Sequence, residues 1–185
     1  GYLTPGLRWG ARLGHAEVTD MLLGALSDPF GLGHMGITAE NVAADFDITR
    51  EDMDNFAAES QARAAKASEN GWFTGQIEPA EVRAKRQTLS FAKDEFIRPD
   101  TKAEDLAGLR PAFQKDGLVT AGNSSGINDG TASLVLANAG LVEKSGQTPL
   151  ARIIAYGFGG VPARIMGMGP VPASKMALER AGLSI

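Results

Sequence analysis

The stretch GLVTAGNSSGINDGTASLVLANAG, residues 117–140, indicates the fold class more clearly than any other part of the chain. It joins two runs of β-forming residues across a turn rich in Gly, Asn and Ser, and the second run predicts a strand at residues 131–137. Another apolar run predicts a buried strand at residues 151–157. Helical patterns alternate with these runs, which favours an α/β fold with both strands in one layer.

Helical spacing and end signals occur in four segments, at residues 17–26, 38–46, 50–69 and 172–181. The third is the clearest, because Thr49 and Asp52 stand where a capping box needs them and Asp54 adds negative charge near the helix start. Thr38 is the expected N-cap of the second helix. The fourth begins with a proline in its first turn and ends before Gly182. We interpret the third helix as purely structural.

The composition narrows the possible classes of protein. The 185 residues include 43% hydrophobic and 22% charged residues, as in ordinary soluble domains. A net charge of −4 argues against a nucleic-acid-binding surface, and no apolar run approaches the roughly 18 residues of a membrane span. The chain contains no Cys, which removes disulfides, thiolate nucleophiles and most structural zinc sites. We expect a cytoplasmic protein, and the start at Gly1 without Met leads us to expect a piece of a longer one.

Two glycine-containing motifs suggest chemistry that the rest of the sequence does not support. GNSSG, residues 122–126, fits a nucleophile elbow with Ser124 as nucleophile, but no histidine follows His34 as an α/β-hydrolase requires. GFGGVPARIMGMGP, residues 157–170, is similar to a phosphate-binding loop, but Pro162 occupies the position of the third glycine. This segment instead predicts a place where the backbone passes close to another segment or a ligand.

His34 lies in GLGHMGITAEN, residues 31–41, and its role is open on local grounds. A catalytic base, a metal ligand, a wall of a binding site and a packed core residue are all compatible with a histidine beside Gly and Met. A metal site is disfavoured, because His15 is the only other histidine and no ligand pattern joins the two. We predict no metal site.

Four motifs together resemble the thiolase family, in order and in spacing. They are HMGITAEN, ITREDMDNFAAESQARA, LRPAFQKDGLVTAGNSSGINDGTASLVL and MGMGPVPASKMALERAGL. The acetyl-CoA acetyltransferases are the most similar members. The resemblance implies a partial, layered α/β thiolase-like fold with a mostly helical loop-domain insertion. It assigns residues 1–20 to a tetramerisation arm, 21–116 to the loop domain that binds coenzyme A (CoA), and 117–185 to the end of the N-terminal half and the start of the C-terminal half. On local grounds, a disordered terminus is the alternative for the arm.

The resemblance also implies a function and a set of CoA-binding residues. Thiolases condense two acetyl-CoA molecules to acetoacetyl-CoA or cleave 3-ketoacyl-CoA with CoA, so the acyl-CoA thioesters are substrates and no cofactor is implied. A dimer of dimers is the implied assembly, without nucleic-acid or membrane partners. His34 and Met35 match residues that line the CoA pocket, and Arg98 matches an arginine near the nucleotide. Ala112 and Phe113 match the wall beside the pantetheine, Ala121 matches a backbone contact, and Ser125 matches the serine whose side chain meets the pantetheine amide.

The family's catalytic motifs do not occur in this chain. Thiolases use an activated Cys, a second Cys, the Asn of an NEAF motif and the His of a GHP motif, so none of the residues here is predicted to be catalytic. Two hypotheses follow. The chain is either a piece of an active thiolase that supplies CoA-binding residues, or a non-catalytic CoA-binding or scaffold relative. We expect the 185 residues alone to be inactive.

Overall fold

A computed structural model describes residues 1–85 and 87–185 of the chain. They divide into two compact units: unit 1 comprises residues 1–42 and 127–185, and unit 2 comprises residues 43–126. The units combine helices with small antiparallel sheets. The family resemblance implies domain boundaries after residues 20 and 116. The division into compact units does not test these boundaries, which stay predictions.

The long helix α3 (Arg50–Glu69) is the main element of unit 2, and its predicted range is confirmed. Its start is fixed by the predicted capping box. The Thr49 hydroxyl accepts a hydrogen bond from the Asp52 N–H at 3.1 Å, and the Asp52 carboxylate accepts one from the Thr49 N–H at 2.9 Å. The chain leaves the helix through Gly71, which has a φ of +68° that favours glycine.

The other elements of unit 2 are a hairpin and a short helix. Strands β3 (Ala80–Ala84) and β4 (Gln87–Phe91) pair antiparallel, and both are exposed along their length. The short helix α4 (Ala103–Ala107) packs against α3. The buried apolar side chains of this unit are few and small, apart from one leucine; they are Ala43, Ala65, Ala67, Leu106 and Val119.

Unit 1 begins with two short strands, β1 (Tyr2–Leu3) and β2 (Thr19–Asp20), which pair antiparallel. A 3-10 turn follows β1, at Pro5–Trp9. The helix predicted at residues 17–26 starts later, as α1 (Met21–Leu26). The reason is local: the Asp20 side chain accepts a hydrogen bond from the Leu22 N–H at 2.9 Å and so caps the helix at that point.

The second predicted helix starts before the expected Thr38 cap. Helix α2 (Met35–Asp45) includes Thr38, which is only 3% exposed and whose hydroxyl donates to the Met35 carbonyl at 2.7 Å. The N-cap prediction for Thr38 is therefore wrong. His34 precedes the helix and takes that role, since its Nδ1 accepts a hydrogen bond from the Gly36 N–H at 3.0 Å.

The strand predictions for residues 131–137 and 151–157 are wrong, because neither segment belongs to a strand. A strand is stabilised by hydrogen bonds to a neighbouring strand, and neither run has such a neighbour within the described residues. An unpredicted helix, α5 (Ala139–Ser145), follows the first run, and the Asn138 side chain caps it by accepting from the Leu141 N–H at 2.9 Å.

Both apolar runs of unit 1, residues 131–137 and 151–157, are exposed to solvent. Leu134 is 86% exposed and Val135 is 95% exposed. In the second run, Ile153 and Ile154 are each 70% exposed. Large exposed apolar patches of this kind are typical of surfaces that another segment or partner covers.

The last helix, α6 (Pro170–Ala181), agrees with the prediction, with Gly182 as its C-cap at a φ of +68°. The preceding glycine-rich segment lies against it. A Cβ atom on Gly157 would stand 2.2 Å from the Ala173 carbonyl oxygen, and one on Gly159 would stand 2.6 Å from Pro172. The predicted close backbone approach is thus confirmed. In the described part of the chain, no helix is both long enough and apolar enough to cross a membrane.

Candidate functional site

The residues predicted to bind CoA fall in both units. His34 and Met35 are in unit 1, and the other five are in unit 2. In unit 1, the half-buried His34 caps α2 through Nδ1, and Met35, 41% exposed, is the first residue of that helix. This hydrogen bond from the backbone to the His34 side chain is a structural role, so it accounts for a histidine at this position without any ligand. The convergence of His34 and Met35 with the residues of unit 2 on one cleft stays a prediction.

Three of the unit 2 residues lie on two neighbouring segments, residues 111–113 and 118–121. The segments are joined by an antiparallel bridge between Pro111 and Thr120, and the Ala112 N–H donates to the Val119 carbonyl at 2.9 Å. Ala112 and Ala121 are exposed, each next to a residue of the bridge, while Phe113 is half-buried. The structure thus brings Ala112, Phe113 and Ala121 to one place on the surface.

Ser125 lies on an exposed turn that packs against the segment carrying Arg98. The contact runs through Gly126, because a Cβ atom there would come within 2.6 Å of the Phe96 ring. Ser125 itself is exposed, so its hydroxyl is accessible to a ligand. The packing of the Phe96 ring on Gly126 therefore holds the chain next to Ser125 close to the segment of Arg98.

Arg98 is exposed, and its backbone is held by helix α3. Its N–H donates to Oε1 of Gln61 at 2.8 Å, and its guanidinium carbon lies 6.0 Å from the centroid of the Phe96 ring. Arg98 also lines an open cavity of about 370 Å³ together with α4 residues such as Asp105 and Leu106. A guanidinium in such a position can pair with a phosphate or stack on an aromatic base.

A buried polar cluster that the sequence interpretation missed lies beneath this surface. Asp54 is 2% exposed; its Oδ2 accepts from Arg50 Nε at 2.7 Å and its Oδ1 accepts from Asn123 Nδ2 at 3.0 Å. Arg50 Nη2 also donates to the carbonyls of Leu106 and Leu109, at 2.7 and 3.1 Å. The cluster therefore joins α3 to the end of α4 and to the turn at residues 120–126.

Asn123 and Thr120 fix the shape of this turn from within. Oδ1 of Asn123 accepts from the Thr120 N–H at 2.7 Å, and Nδ2 donates to the Leu118 carbonyl at 3.0 Å in addition to Asp54. Thr120 is fully buried, and its hydroxyl accepts from the N–H groups of Gly122 and Asn123. The only signal in the sequence was the spacing of Arg50 and Asp54 by one helical turn, which equally fits an exposed ion pair.

The ionisation of one side chain at the start of α3 is perturbed. The hydrogen bonds from the side chain and backbone of Thr49 hold the pKa of Asp52 below its ordinary value of 3.8. Among the described residues, no three His, Cys, Asp or Glu side chains are grouped as a metal site would need. The surface of unit 2 presents a hydroxyl, a guanidinium, small side chains and one aromatic ring, which are groups of the kind that line ligand-binding sites.

Comparison with known proteins identifies the family. The family described as "Thiolase, N-terminal domain" matches residues 2–140. The chain is 49% identical over its whole length to the beta-ketothiolase BktB of Cupriavidus necator and covers 47% of that protein. It thus spans about half the length of the curated relatives it matches.

Solved structures give the same result for the fold. The acetyl-CoA acetyltransferase of Bacillus anthracis matches all of this chain with a TM-score of 0.87 and 46% identity, over 47% of its own length. A human mitochondrial 3-ketoacyl-CoA thiolase in complex with CoA matches 99% of this chain with a TM-score of 0.83 and 43% identity, over 46% of its own length. The predicted partial thiolase-like α/β fold is confirmed, and the chain belongs to the thiolase family.

Proposed function

We propose that this chain supplies the CoA-binding part of an acetyl-CoA acetyltransferase. The whole enzyme condenses two acetyl-CoA molecules to acetoacetyl-CoA or cleaves 3-ketoacyl-CoA with CoA. The observation that carries the proposal is the common surface of unit 2, where Arg98, Ala112, Phe113, Ala121 and Ser125 lie on segments that contact one another or α3. A solved relative that is 43% identical to this chain was crystallised with CoA.

Each of these residues suits one part of CoA. The Arg98 guanidinium is exposed and suits the nucleotide phosphates. The Ser125 hydroxyl suits a pantetheine amide, and the small side chains of Ala112 and Ala121 allow the pantetheine to approach the backbone. Phe113 provides an apolar wall. His34 and Met35 are included because the family resemblance assigns them to the same ligand.

The acyl-transfer chemistry itself requires residues that this chain does not carry. It has no cysteine to accept an acyl group. We therefore propose that catalysis belongs to the whole enzyme, with CoA and acyl-CoA as substrates and no added cofactor. A cytoplasmic location and a homotetramer built as a dimer of dimers, to which residues 1–20 contribute, complete the proposal.

Binding of CoA by the 185-residue chain tests the proposed role of Ser125. Isothermal titration with CoA should show that Ser125→Ala weakens binding by about 0.5–1.5 kcal/mol, the net worth of one hydrogen bond. The matched control is Ser124→Ala, which removes the neighbouring hydroxyl and should leave the affinity unchanged. Equal affinities for the parent chain and Ser125→Ala would remove Ser125 from the proposed site.

A hybrid enzyme distinguishes a piece of a thiolase from a non-catalytic relative. In the hybrid, this chain replaces the 47% of BktB that it matches, and the rest of BktB supplies the remaining residues. The hybrid should cleave acetoacetyl-CoA with CoA, and Ser125→Ala in the hybrid should raise KM with little change in kcat. A folded hybrid without turnover, together with CoA binding by the chain alone, would instead favour the non-catalytic relative.

A further inference from the structure

We infer that helix α3 positions the CoA-binding residues of unit 2 through two polar side chains, Asp54 and Gln61. Asp54 acts on the turn of Ala121 and Ser125 by holding Asn123, and Gln61 acts on Arg98 by accepting from its N–H. These are positioning residues, because they act through other residues and not on the ligand. The inference rests on the proposed function, and it gives α3 a role beyond the structural one that its sequence indicates.

The first link in this arrangement is the pair Asp54–Asn123. Asp54 is buried on α3 and Asn123 is 69 residues further along the chain, yet their side chains are hydrogen-bonded at 3.0 Å. The remaining Asp54 oxygen is satisfied by Arg50 at 2.7 Å. Burying a carboxylate is unfavourable unless it is paired and hydrogen-bonded, so the turn that carries Asn123 is held where it completes the set of partners around Asp54.

An amide is the side chain that this position requires. Asn123 donates from Nδ2 to both Asp54 and the Leu118 carbonyl, and it accepts at Oδ1 from the Thr120 N–H. Aspartate has nearly the same shape, but when ionised it has no hydrogen to donate. Asn123→Asp would therefore keep the bond from Thr120, lose the bonds donated to Asp54 and to the Leu118 carbonyl, and set a second negative charge against Asp54.

The second link, Gln61–Arg98, lies two helical turns further along α3. Residues seven apart share a face of a helix, and a rise of about 1.5 Å per residue separates Asp54 from Gln61 by about 10 Å. Gln61 accepts from the Arg98 N–H at 2.8 Å. One face of one helix thus holds both the segment proposed for the nucleotide end and the turn proposed for the pantetheine, at a fixed separation.

The two held segments also contact each other. The Phe96 ring, two residues before Arg98, packs on Gly126, one residue after Ser125, so closely that a Cβ atom there would stand 2.6 Å from the ring. A shift of either segment would disturb the other through this contact. The spacing of Arg98 and Ser125 therefore depends on both Asp54 and Gln61.

The decisive experiment compares Asn123→Asp with the double variant Asp54→Asn/Asn123→Asp, using titration with CoA of the hybrid in which this chain replaces the matching 47% of BktB. Asn123→Asp should weaken CoA binding about tenfold or more, since it loses a charge-assisted hydrogen bond and adds a repulsion. The double variant puts a donor at residue 54 opposite an acceptor at residue 123, and it should recover a large part of the lost affinity. The recovery should be incomplete, because a carboxylate at residue 123 cannot donate to the Leu118 carbonyl.

The matched control is Glu59→Gln, which removes a negative charge from the same helix at an exposed pair with Arg63. It should leave CoA affinity unchanged. Hydrogen exchange supplies the structural readout, because the amides of residues 120–126 should lose protection in Asn123→Asp and regain it in the double variant. An Asn123→Asp chain that binds CoA as tightly as the parent, or a double variant no better than the single one, would overturn the inference.

A surface variant keeps the test independent of folding. Gln61→Leu removes the acceptor for the Arg98 N–H on a partly exposed side chain and should weaken CoA binding about three- to tenfold, whereas Gln61→Glu keeps an acceptor and should stay near the parent. Equal affinity of Gln61→Leu and the parent would overturn the role of Gln61. A folded parent hybrid that does not bind CoA at all would defeat the proposed function, whereas normal binding by every variant would defeat only this inference.

Discussion

Unit 2 buries polar and charged side chains, whereas the two apolar runs of unit 1 expose apolar side chains to solvent. In unit 2, a buried carboxylate, Asp54, has two charged or polar partners from separate segments, and few large apolar side chains are buried. In unit 1, Leu134, Val135, Ile153 and Ile154 have the strand-forming character expected of a sheet interior and yet lie in solvent without a strand. Polar contacts thus stabilise unit 2, whereas the apolar side chains of the two runs remain exposed.

The difference shows where stability resides in this chain. Complete burial of a Leu, Ile or Val side chain stabilises the folded state by roughly 1.5–3 kcal/mol. The side chains of the two runs do not contribute this stabilisation, because they are exposed. The hydrogen bonds of Asp54 contribute less in net terms, but removing one partner leaves a buried charge unsatisfied. We therefore expect substitutions in the cluster to be costly and substitutions in the runs to be nearly neutral.

The largest expected effect is that of Asp54→Ala. It leaves Arg50 without its carboxylate and Asn123 without one of its two acceptors, and it should lower the free energy of unfolding by about 3 kcal/mol. Denaturant titration followed by circular dichroism measures the change. The control is Glu59→Ala, at an exposed ion pair, which should cost less than about 1 kcal/mol. Similar losses for the two variants would break the comparison between the regions.

Thr49→Ala should have a smaller effect. It removes the hydroxyl that accepts from the Asp52 N–H at 3.1 Å, and loss of such a cap costs about 1 kcal/mol. The same denaturant titration applies, with Thr148→Ala as control because Thr148 is exposed and outside any helix. Equal stability of Thr49→Ala and the parent would mean that α3 is held by its tertiary contacts alone.

The ionisation of Asp52 should affect the free energy of unfolding less still, because the Asp52 carboxylate is exposed. Its pKa is lowered in the folded state, so its contribution is present above the ordinary value of 3.8 and is lost as the pH falls through the lower, folded-state pKa. Unfolding measured at a series of pH values should show this loss below about pH 4. Asp52→Asn should remove that part of the dependence, and an unchanged pH profile would contradict the assignment.

Leu134→Lys and Ile153→Lys should have the smallest effect on stability. Both side chains are exposed, so each substitution should change the free energy of unfolding by no more than about 0.5 kcal/mol. They should, however, lower the binding of a hydrophobic dye and the aggregation that the exposed runs are expected to cause. Leu13→Lys, at an isolated exposed leucine, is the control. A parent chain that is monomeric and binds no dye would contradict this prediction.

Local signals made part of the fold predictable. The capping box of α3 and the Pro and Gly at the ends of α6 depend on neighbours in the sequence, so both helices occur where we expected them. The strands at residues 131–137 and 151–157 were wrong because a strand depends on a partner that local sequence does not contain. The start of α2 was missed because a histidine, in place of the expected Thr38, provides the cap.

The candidate site was predictable only to the extent of the family resemblance. The resemblance pointed to Arg98 and Ser125, and the structure connects their segments through Phe96 and Gly126. The role of Asp54 was hidden, because Arg50–Asp54 and Glu59–Arg63 have the same spacing on α3. Contacts far along the chain, from Asn123 to Asp54 and from Arg50 to the carbonyls of α4 and its end, distinguish the buried pair from the exposed one.

The close packing of Gly157 and Gly159 on α6 has a consequence for the order of folding. These contacts join segments that are near in sequence, so the chain closes a short loop to form them, and the entropy lost in closing a loop grows with its length. The Asp54–Asn123 bond closes a loop of 69 residues. Contacts of low sequence separation form fastest, so α6 and the glycine segment should acquire protection from hydrogen exchange during refolding before the turn at residues 120–126 does.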